Sequence, residues 1–397
     1  MLRTATASPW TPALISLLLL WCAGLYLRLT LLVAPPLAPR IAADLGLNQA
    51  GIGALTTVPV LMLSMAAVAG AFIIARLGPR HTVVLSLIII LCGSMARAVA
   101  PEPWLMYAAT ALMGLGIAAL QPALPALLPG WCPGHTALGT AVYMNGMLMG
   151  EVLSAGLTLP LIMPLAGDDW RLALIIWSLP AGLVALAFLK RRGLDTNKQA
   201  DRPSVWMPGW RDPLVWQLGL LLGASAALFF GTNAYMASVL TARGEGHQLA
   251  LGLLLFNTAQ LASSVFMLRY ASRWLGRTAP LQIMLAGAVV TLLLFLLLPG
   301  LPALIAAFGL SFATGVLLIL LVSLPPAIAP PGTTAALSAG MFTIGYAVSF
   351  LVPLAGGLLA DASGRPGFAL LPLLALGVLC FPLCLSLGRR AVAVISH

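Results

Sequence analysis

Two side chains in this sequence stand where nothing ionisable is expected. Arg28 interrupts the run "LYLRLTLLVAPPL" (Leu25–Leu37), and Glu151 interrupts "GMLMGEVLSAGL" (Gly146–Leu157). A guanidinium stays protonated and presents a planar fork of donors that matches a carboxylate or another small anion. A carboxyl in an apolar run has two states. Beside a cation it is ionised; alone in lipid its neutral form is favoured, and it becomes a proton carrier. Together the two have the chemistry of reversible anion capture, with protonation of Glu151 releasing Arg28 to an anion. The plain alternative is a salt bridge with no ligand. Snorkelling of Arg28 to the surface is discounted, because the charge lies too deep.

Uncharged polar residues in neighbouring runs could complete such a site. They are Gln121, Tyr143 and Asn145 in the first half of the chain, and Asn233, Tyr235, Asn257, Gln260 and Tyr346 in the second. At ~100° per residue, Tyr143 and Asn145 stand about 80° and 120° from Glu151 around a helix, so they line a broad face at best. Each alone has an ordinary role, hydrogen bonding between helices. As a set drawn from both halves they describe a pocket at mid-depth.

The elements that must position these residues are membrane helices. Of 397 residues, 61% are hydrophobic and 8% charged, and the mean hydropathy is +1.04. A soluble domain carries about 25% charged residues. The apolar runs are continuous over roughly 20 residues and do not alternate, so they read as helices, not barrel strands. Twelve are expected, at 12–35, 50–74, 82–100, 104–128, 136–165, 170–189, 213–240, 249–269, 279–299, 302–328, 333–360 and 365–388. The polar stretch Lys190–Asp212 divides them six and six. The expected organisation is a bundle over 1–189, a linker over 190–212 and a second bundle over 213–397.

An even count of spans puts both termini on one side. Fourteen of the twenty Lys and Arg then fall on that side and five on the other (Arg40, Arg97, Arg171, Arg243 and Arg365), leaving Arg28 between. By the positive-inside rule the termini are cytoplasmic. This bias also accounts for the net charge of +10 without nucleic acid. By the same sorting, Arg28 and Glu151 are the two charges inside the membrane. Inserting each costs roughly 2.5–3.5 kcal/mol, so both should face the bundle interior.

A weak repeat relates the halves. "ARLGPR" (Ala75–Arg80) follows the second span and "SRWLGR" (Ser272–Arg277) follows the eighth. Arg76, Gly78 and Arg80 correspond to Arg273, Gly276 and Arg277 as loops that bear on conformational change. Two repeated six-span halves describe a transporter rocking about a central site. The first loop resembles the major facilitator superfamily loop that joins spans 2 and 3, although Ala75 stands where an acid is usual and Ala71 where the first glycine is usual. Over most of the first half the chain resembles the cyanate permease and 2-nitroimidazole transporter family (CynX/NimT). The residues that carry this are Arg28, Thr30, Pro36-Leu37 and Thr56-Thr57-Val58-Pro59, with "GLGIAALQPALPALL", "AVYMNG" and "DWRLALIIW".

The resemblance implies a small-solute permease of the bacterial inner membrane and adds Thr57 to the substrate-binding set. It leaves two substrates open: a small polar or anionic solute such as cyanate, or a nitroimidazole-like neutral drug to be exported. Glu151 replaces the proline that many drug–proton exporters carry after Gly-x-x-x-Gly in span 5, and span 4 lacks their arginine before Gly114. Both departures weigh against the drug reading. Gly146 and Gly150 themselves are assigned to close helix packing.

Other chemistry is not written here. There is no phosphate-binding loop, and the four histidines are scattered, so no enzyme, ATP drive or metal centre is expected. The five cysteines are odd in number and dispersed, and read as small packing residues. The expected partners are the bilayer, a small-molecule substrate and protons, with no cofactor, acting on a monomer.

Overall fold

The computed structural model describes residues 10–132, 136–191, 209–274, 277–328 and 334–395. Among them, eleven helices have the length and apolarity to cross a membrane, and the 29-residue helix Gln49–Leu77 is the twelfth. All-helical crossing follows from the lack of water in the bilayer, which obliges each segment to satisfy its own N–H and C=O groups. Twelve crossings return the chain to the face it started from. That face is the terminal face below, and the other is the distal face.

In the first half, span 1 is three pieces, Trp10–Leu25, Leu29–Leu32 and Ala34–Leu45. Spans 2, 3 and 4 are Gln49–Leu77, Pro79–Ala98 and Pro103–Trp131. Span 5 is Thr136–Leu157, continued through a π-helical turn, Thr158–Ile162, to Leu165. Span 6 is Trp170–Lys190. In the second half, spans 7 to 12 are Pro213–Ala242, Leu249–Trp274, Thr278–Leu297, Gly300–Ser323, Thr334–Ser363 and Leu371–Ile395.

The starts and stops follow local chemistry. Proline opens spans 3, 4 and 7, where its missing N–H would have no helical partner anyway. Asn48, Asp169 and Asp212 cap spans 2, 6 and 7 through side-chain oxygens that accept from Gly51, Arg171 and Leu214 N–H groups. Gly78 turns the chain between spans 2 and 3 at φ +76°, a conformation that suits glycine.

The packing is pseudo-symmetric. Span 1 crosses 5, 2 packs on 4, and 3 packs on 4 and 6. Six spans on, 7 crosses 11, 8 packs on 10, and 9 packs on 10 and 12. The halves meet where span 2 lies on 11 and span 5 lies on 8. This is a two-bundle architecture with twelve spans, as expected from the sequence.

Two features depart from the expected pattern. Span 1 is not one helix ending near residue 35. It breaks at Tyr26–Arg28 and runs on to Leu45. Through the break, Tyr26, Leu27 and Arg28 donate to the carbonyls of Ala23, Gly24 and Leu25, three residues back instead of four. Downstream, Pro35 and Pro36 have no N–H to offer Leu31 and Leu32, so helical bonding stays interrupted. The second departure is Arg97. Sorting by span ends places it on the distal surface, yet it is fully buried, 0% exposed. Gly276 and most of the 190–212 stretch lie outside the described residues.

Candidate functional site

The break in span 1 sits beside a very close helix crossing. A β-carbon on Gly146 would collide with the Trp21 carbonyl, one on Gly150 with that of Leu25, and one on Gly24 with that of Tyr143. Gly146-x-x-x-Gly150 therefore serves helix contact. One residue beyond Gly150, span 5 presents Glu151; three beyond Leu25, span 1 presents Arg28.

The two meet. Arg28 Nε lies 3.4 Å from Glu151 Oε1, with the residues 8% and 3% exposed. From the other half, the Phe230 ring lies under the guanidinium, 4.7 Å from Arg28 Cζ to its centroid. The ion pair is loose. A strong guanidinium–carboxylate pair forms two parallel bonds at about 2.7–2.9 Å. Here Arg28 Nη1 and Glu151 Oε2 are buried with no hydrogen-bond partner. Desolvation of both ions is thus only partly offset, and one donor and one acceptor stay open.

Around the pair, hydroxyls tie the elements together. Tyr26 donates to the Trp177 carbonyl at 3.3 Å, and Trp177 Nε1 donates to Thr158 Oγ1 at 2.9 Å. Thr158 donates in turn to the Ser154 carbonyl, and Ser154 to that of Gly150 at 2.7 Å. The span 1 break, span 6 and the π-turn of span 5 are linked beside Glu151.

The other sequence-predicted residues divide. Gln121 and Tyr346 come together across the halves, Nε2 to hydroxyl at 3.5 Å. Asn233 donates to Asn257 at 2.9 Å. Asn233 stands one turn from Phe230, and its Oδ1 is buried without a partner. Tyr143 is buried in the span 1–span 5 crossing. Two are spent elsewhere: Thr57 donates to the Gly53 carbonyl of its own helix at 3.1 Å, and Asn145 is exposed and accepts from Trp21 at 2.9 Å. Tyr235 donates to the Pro353 carbonyl, and Gln260 to that of Ser311.

Of the loop residues, Arg80 bonds the carbonyls of Phe188 and Leu189 at the end of span 6, at 3.0 and 2.6 Å. Arg76, Arg273 and Arg277 are exposed.

Three contributors escaped the sequence reading. Phe230 gave no signal, being an aromatic in an apolar span. Asp361, near the distal end of span 11, accepts from the Gln49 and Ala50 N–H groups of span 2 at 2.7 and 3.0 Å. It resembled any loop acid. Arg97 was readable, because it lies within the expected bounds of span 3.

The superfamily model described as Major Facilitator Superfamily matches residues 17–353. The chain belongs to the Major Facilitator Superfamily. It is therefore a transporter of the secondary type and not an enzyme. It is 26% identical over 351 residues to the cyanate transport protein CynX of Escherichia coli (strain K12), covering 88% of this chain and 91% of that one. It is 29% identical over 220 residues to the 2-nitroimidazole transporter of the same organism, a match that spans only 55% of each. Among solved structures, the inward-open xylose transporter XylE from E. coli superposes with a TM-score of 0.74 at 12% identity, covering 94% of this chain and 95% of that one. A bacterial homologue of the human lysosomal transporter Spinster, inward-facing, gives 0.71 at 18%, with 98% and 95% covered. At such identities the structures show the shared fold.

Proposed function

We propose that this superfamily member moves a small polar or anionic solute, of the cyanate or small organic anion kind, by alternating access, as a relative of the CynX/NimT group. Arg28 is the anion's partner, and Glu151 holds Arg28 when no anion is bound. A proton taken up by Glu151 releases the arginine, which couples anion and proton in one direction. The observation that carries this is the loose pair: Arg28 Nη1 and Glu151 Oε2 have no partner, although both are buried. A purely structural bridge at that depth has every reason to close bidentately. Asn233, Asn257, Gln121 and Tyr346 form the far wall, and Tyr143 backs the crossing. Thr57 and Asn145 were expected in the pocket; their present bonds give them a supporting role.

Residues 1–189 and 213–397 act as the two rocking bodies, joined by 190–212. The terminal face is cytoplasmic, by the fourteen-to-five distribution of basic residues, and the membrane is a bacterial inner membrane. The protein works as a monomer in the bilayer without cofactor. Arg76, Gly78 and Arg80, with Arg273, Gly276 and Arg277, form the cytoplasmic loops that reseat as the halves move.

The test is uptake into proteoliposomes of labelled cyanate and small carboxylates, with and without an inward proton gradient. Gradient-driven accumulation is expected, and its loss in Arg28→Ala. A second reading, export of nitroimidazole-like compounds, is favoured by the 29% identity to the 2-nitroimidazole transporter. It predicts drug resistance on expression that survives Arg28→Ala, and that outcome would displace the anion.

A further inference from the structure

The break that presents Arg28 is itself held from behind. Arg97 Nη1 donates to the carbonyl of Thr30 at 2.9 Å, within the single turn Leu29–Leu32. The same nitrogen lies 3.2 Å from Met113 Sδ of span 4. Arg97 is fully buried, and its Nε and Nη2 have no partner; the hydroxyl of Thr30 has none either. Three residues earlier on span 3, Ser94 accepts from Ser178 of span 6. Span 3 thus turns one polar face toward the break and toward span 6, since residues three apart share a helix face.

Placing a permanent cation there is costly in lipid. A hydrogen bond to one carbonyl offsets little of that cost, and a carbonyl in a continuous helix would not need it. The Thr30 carbonyl lies in the short turn between the break and the prolines, where Leu32 and Val33 bond back to the Arg28 and Leu29 carbonyls, and a carbonyl oxygen has two lone pairs with which to accept. Arg97 therefore ties span 3 to the short turn that follows the break. Its distance along the chain from the bond is only two residues from Arg28. On the opposite flank, Tyr26 is tied to the Trp177 carbonyl. The segment Tyr26–Thr30 is braced at both ends, with Arg28 between the braces.

We infer that Arg97 is a positioning residue for Arg28: by holding the Thr30 carbonyl it fixes the non-helical turn that aims Arg28 at Glu151 and at the transported anion. The inference rests on the anion reading for its transport consequence, but not for its structural one. Arg97 is 0% exposed, and its assigned role is to position Arg28, not to bind the solute.

Three variants test it. Arg97→Met removes the donor and suits an apolar interior. Arg97→Gln keeps an amide donor without the charge, on a side chain two atoms shorter. Arg97→Lys keeps the charge without the fork. The expected result is a KM for cyanate raised about tenfold in Arg97→Met, with kcat within about twofold, the size of one lost bond to a charged donor. Arg97→Lys, whose ammonium comes nearest in length to the bonding nitrogen, should recover most of that KM, and Arg97→Gln less. A role in packing alone would lower the amount of folded protein and leave unchanged both KM in all three and the coupling between Arg28 and Glu151, and that pattern overturns the inference.

A second readout needs no solute. Melting temperatures of the parent, Arg28→Gln, Glu151→Gln and the double variant report the coupling between the pair. That coupling should be present in the parent background and absent with Arg97→Met, or reduced with Arg97→Gln if the methionine variant does not fold. Coupling that persists unchanged overturns the positioning role. Coupling lost while cyanate KM is unaltered upholds the positioning role and rejects the anion reading instead.

Discussion

Spans 1 and 5 of the first half correspond by pseudo-symmetry to spans 7 and 11 of the second, and the two crossings are built alike but loaded differently. Each is a close approach through glycine: Gly24, Gly146 and Gly150 in one, Gly219, Gly223 and Gly345 in the other. Span 1 is broken and carries Arg28, while span 7 is continuous over 30 residues. Among the described residues, the three buried charges, Arg28, Arg97 and Glu151, all belong to the first half. The second half meets them with Phe230, Asn233 and Asn257. A charged group in lipid needs a partner within reach at all times, and keeping partners within one rigid bundle secures that. The second bundle, with no buried charge among its described residues, can then move against the first without separating an ion pair in a low-dielectric medium.

The comparison breaks most sharply at Arg28. Arg28→Ala leaves Glu151 buried without its cation, and removal of one partner from a buried pair costs about 3–5 kcal/mol. Anion transport should fall by about a hundredfold or more, measured as initial uptake per folded molecule. Cyanate uptake at parental rate would mean that the first half does not hold the anion.

Glu151→Gln asks whether the charge opposite Arg28 is a competitor or a support. As a competitor, its removal should tighten cyanate binding severalfold while abolishing accumulation against a gradient. Exchange at equal concentrations should survive. Full proton-driven accumulation in this variant would refute a proton role for Glu151. A gentler probe is Phe230→Leu, which removes the ring from beneath the guanidinium. A desolvated cation–π contact contributes up to about 2 kcal/mol, so KM should rise by roughly three- to tenfold with melting nearly unchanged. An equal effect on neutral solutes would reassign Phe230 to shape alone.

The asymmetry was half legible in the sequence. Apolar runs, the six-plus-six division and the two ionisable interruptions follow from composition and spacing, which act within one segment. Arg28 and Glu151 stood out because a charge in an apolar run is rare. What stayed hidden depends on which segments touch. Phe230 looks like any apolar residue until a cation from another span lies over it. Asn145 and Thr57 looked available because a sequence does not show that Trp21 and the Gly53 carbonyl already occupy them. Arg97 was misplaced because it lies close to a helix end, although within the expected bounds of span 3, and its burial depends on span 1 and span 4 packing over it.

The mildest expected effect lies where the two halves close on each other. At the distal face, Asp361 of span 11 accepts from the first two N–H groups of span 2. These are donors that a helix cannot satisfy internally, at its positive end. Below them, Gly357 comes close to Ala50, and both Gly53 and Gly357 come close to the Tyr235 hydroxyl. The other inter-half seam, span 5 on span 8, meets instead through Gly156 and Leu254, an apolar contact. So, among the described residues, the polar latch lies on the span 2–span 11 seam. Asp361→Asn retains one acceptor and loses the charge, worth about 1 kcal/mol at a helix start. That shifts the balance between conformations about fivefold. Cysteines placed at Gln49 and Ser363 should react faster with a membrane-impermeant maleimide added from the distal side, and addition of cyanate should slow them less than in the parent. Unchanged labelling would mean that the glycine contacts alone hold this face shut, and that the latch is a consequence of closure and not one of its causes.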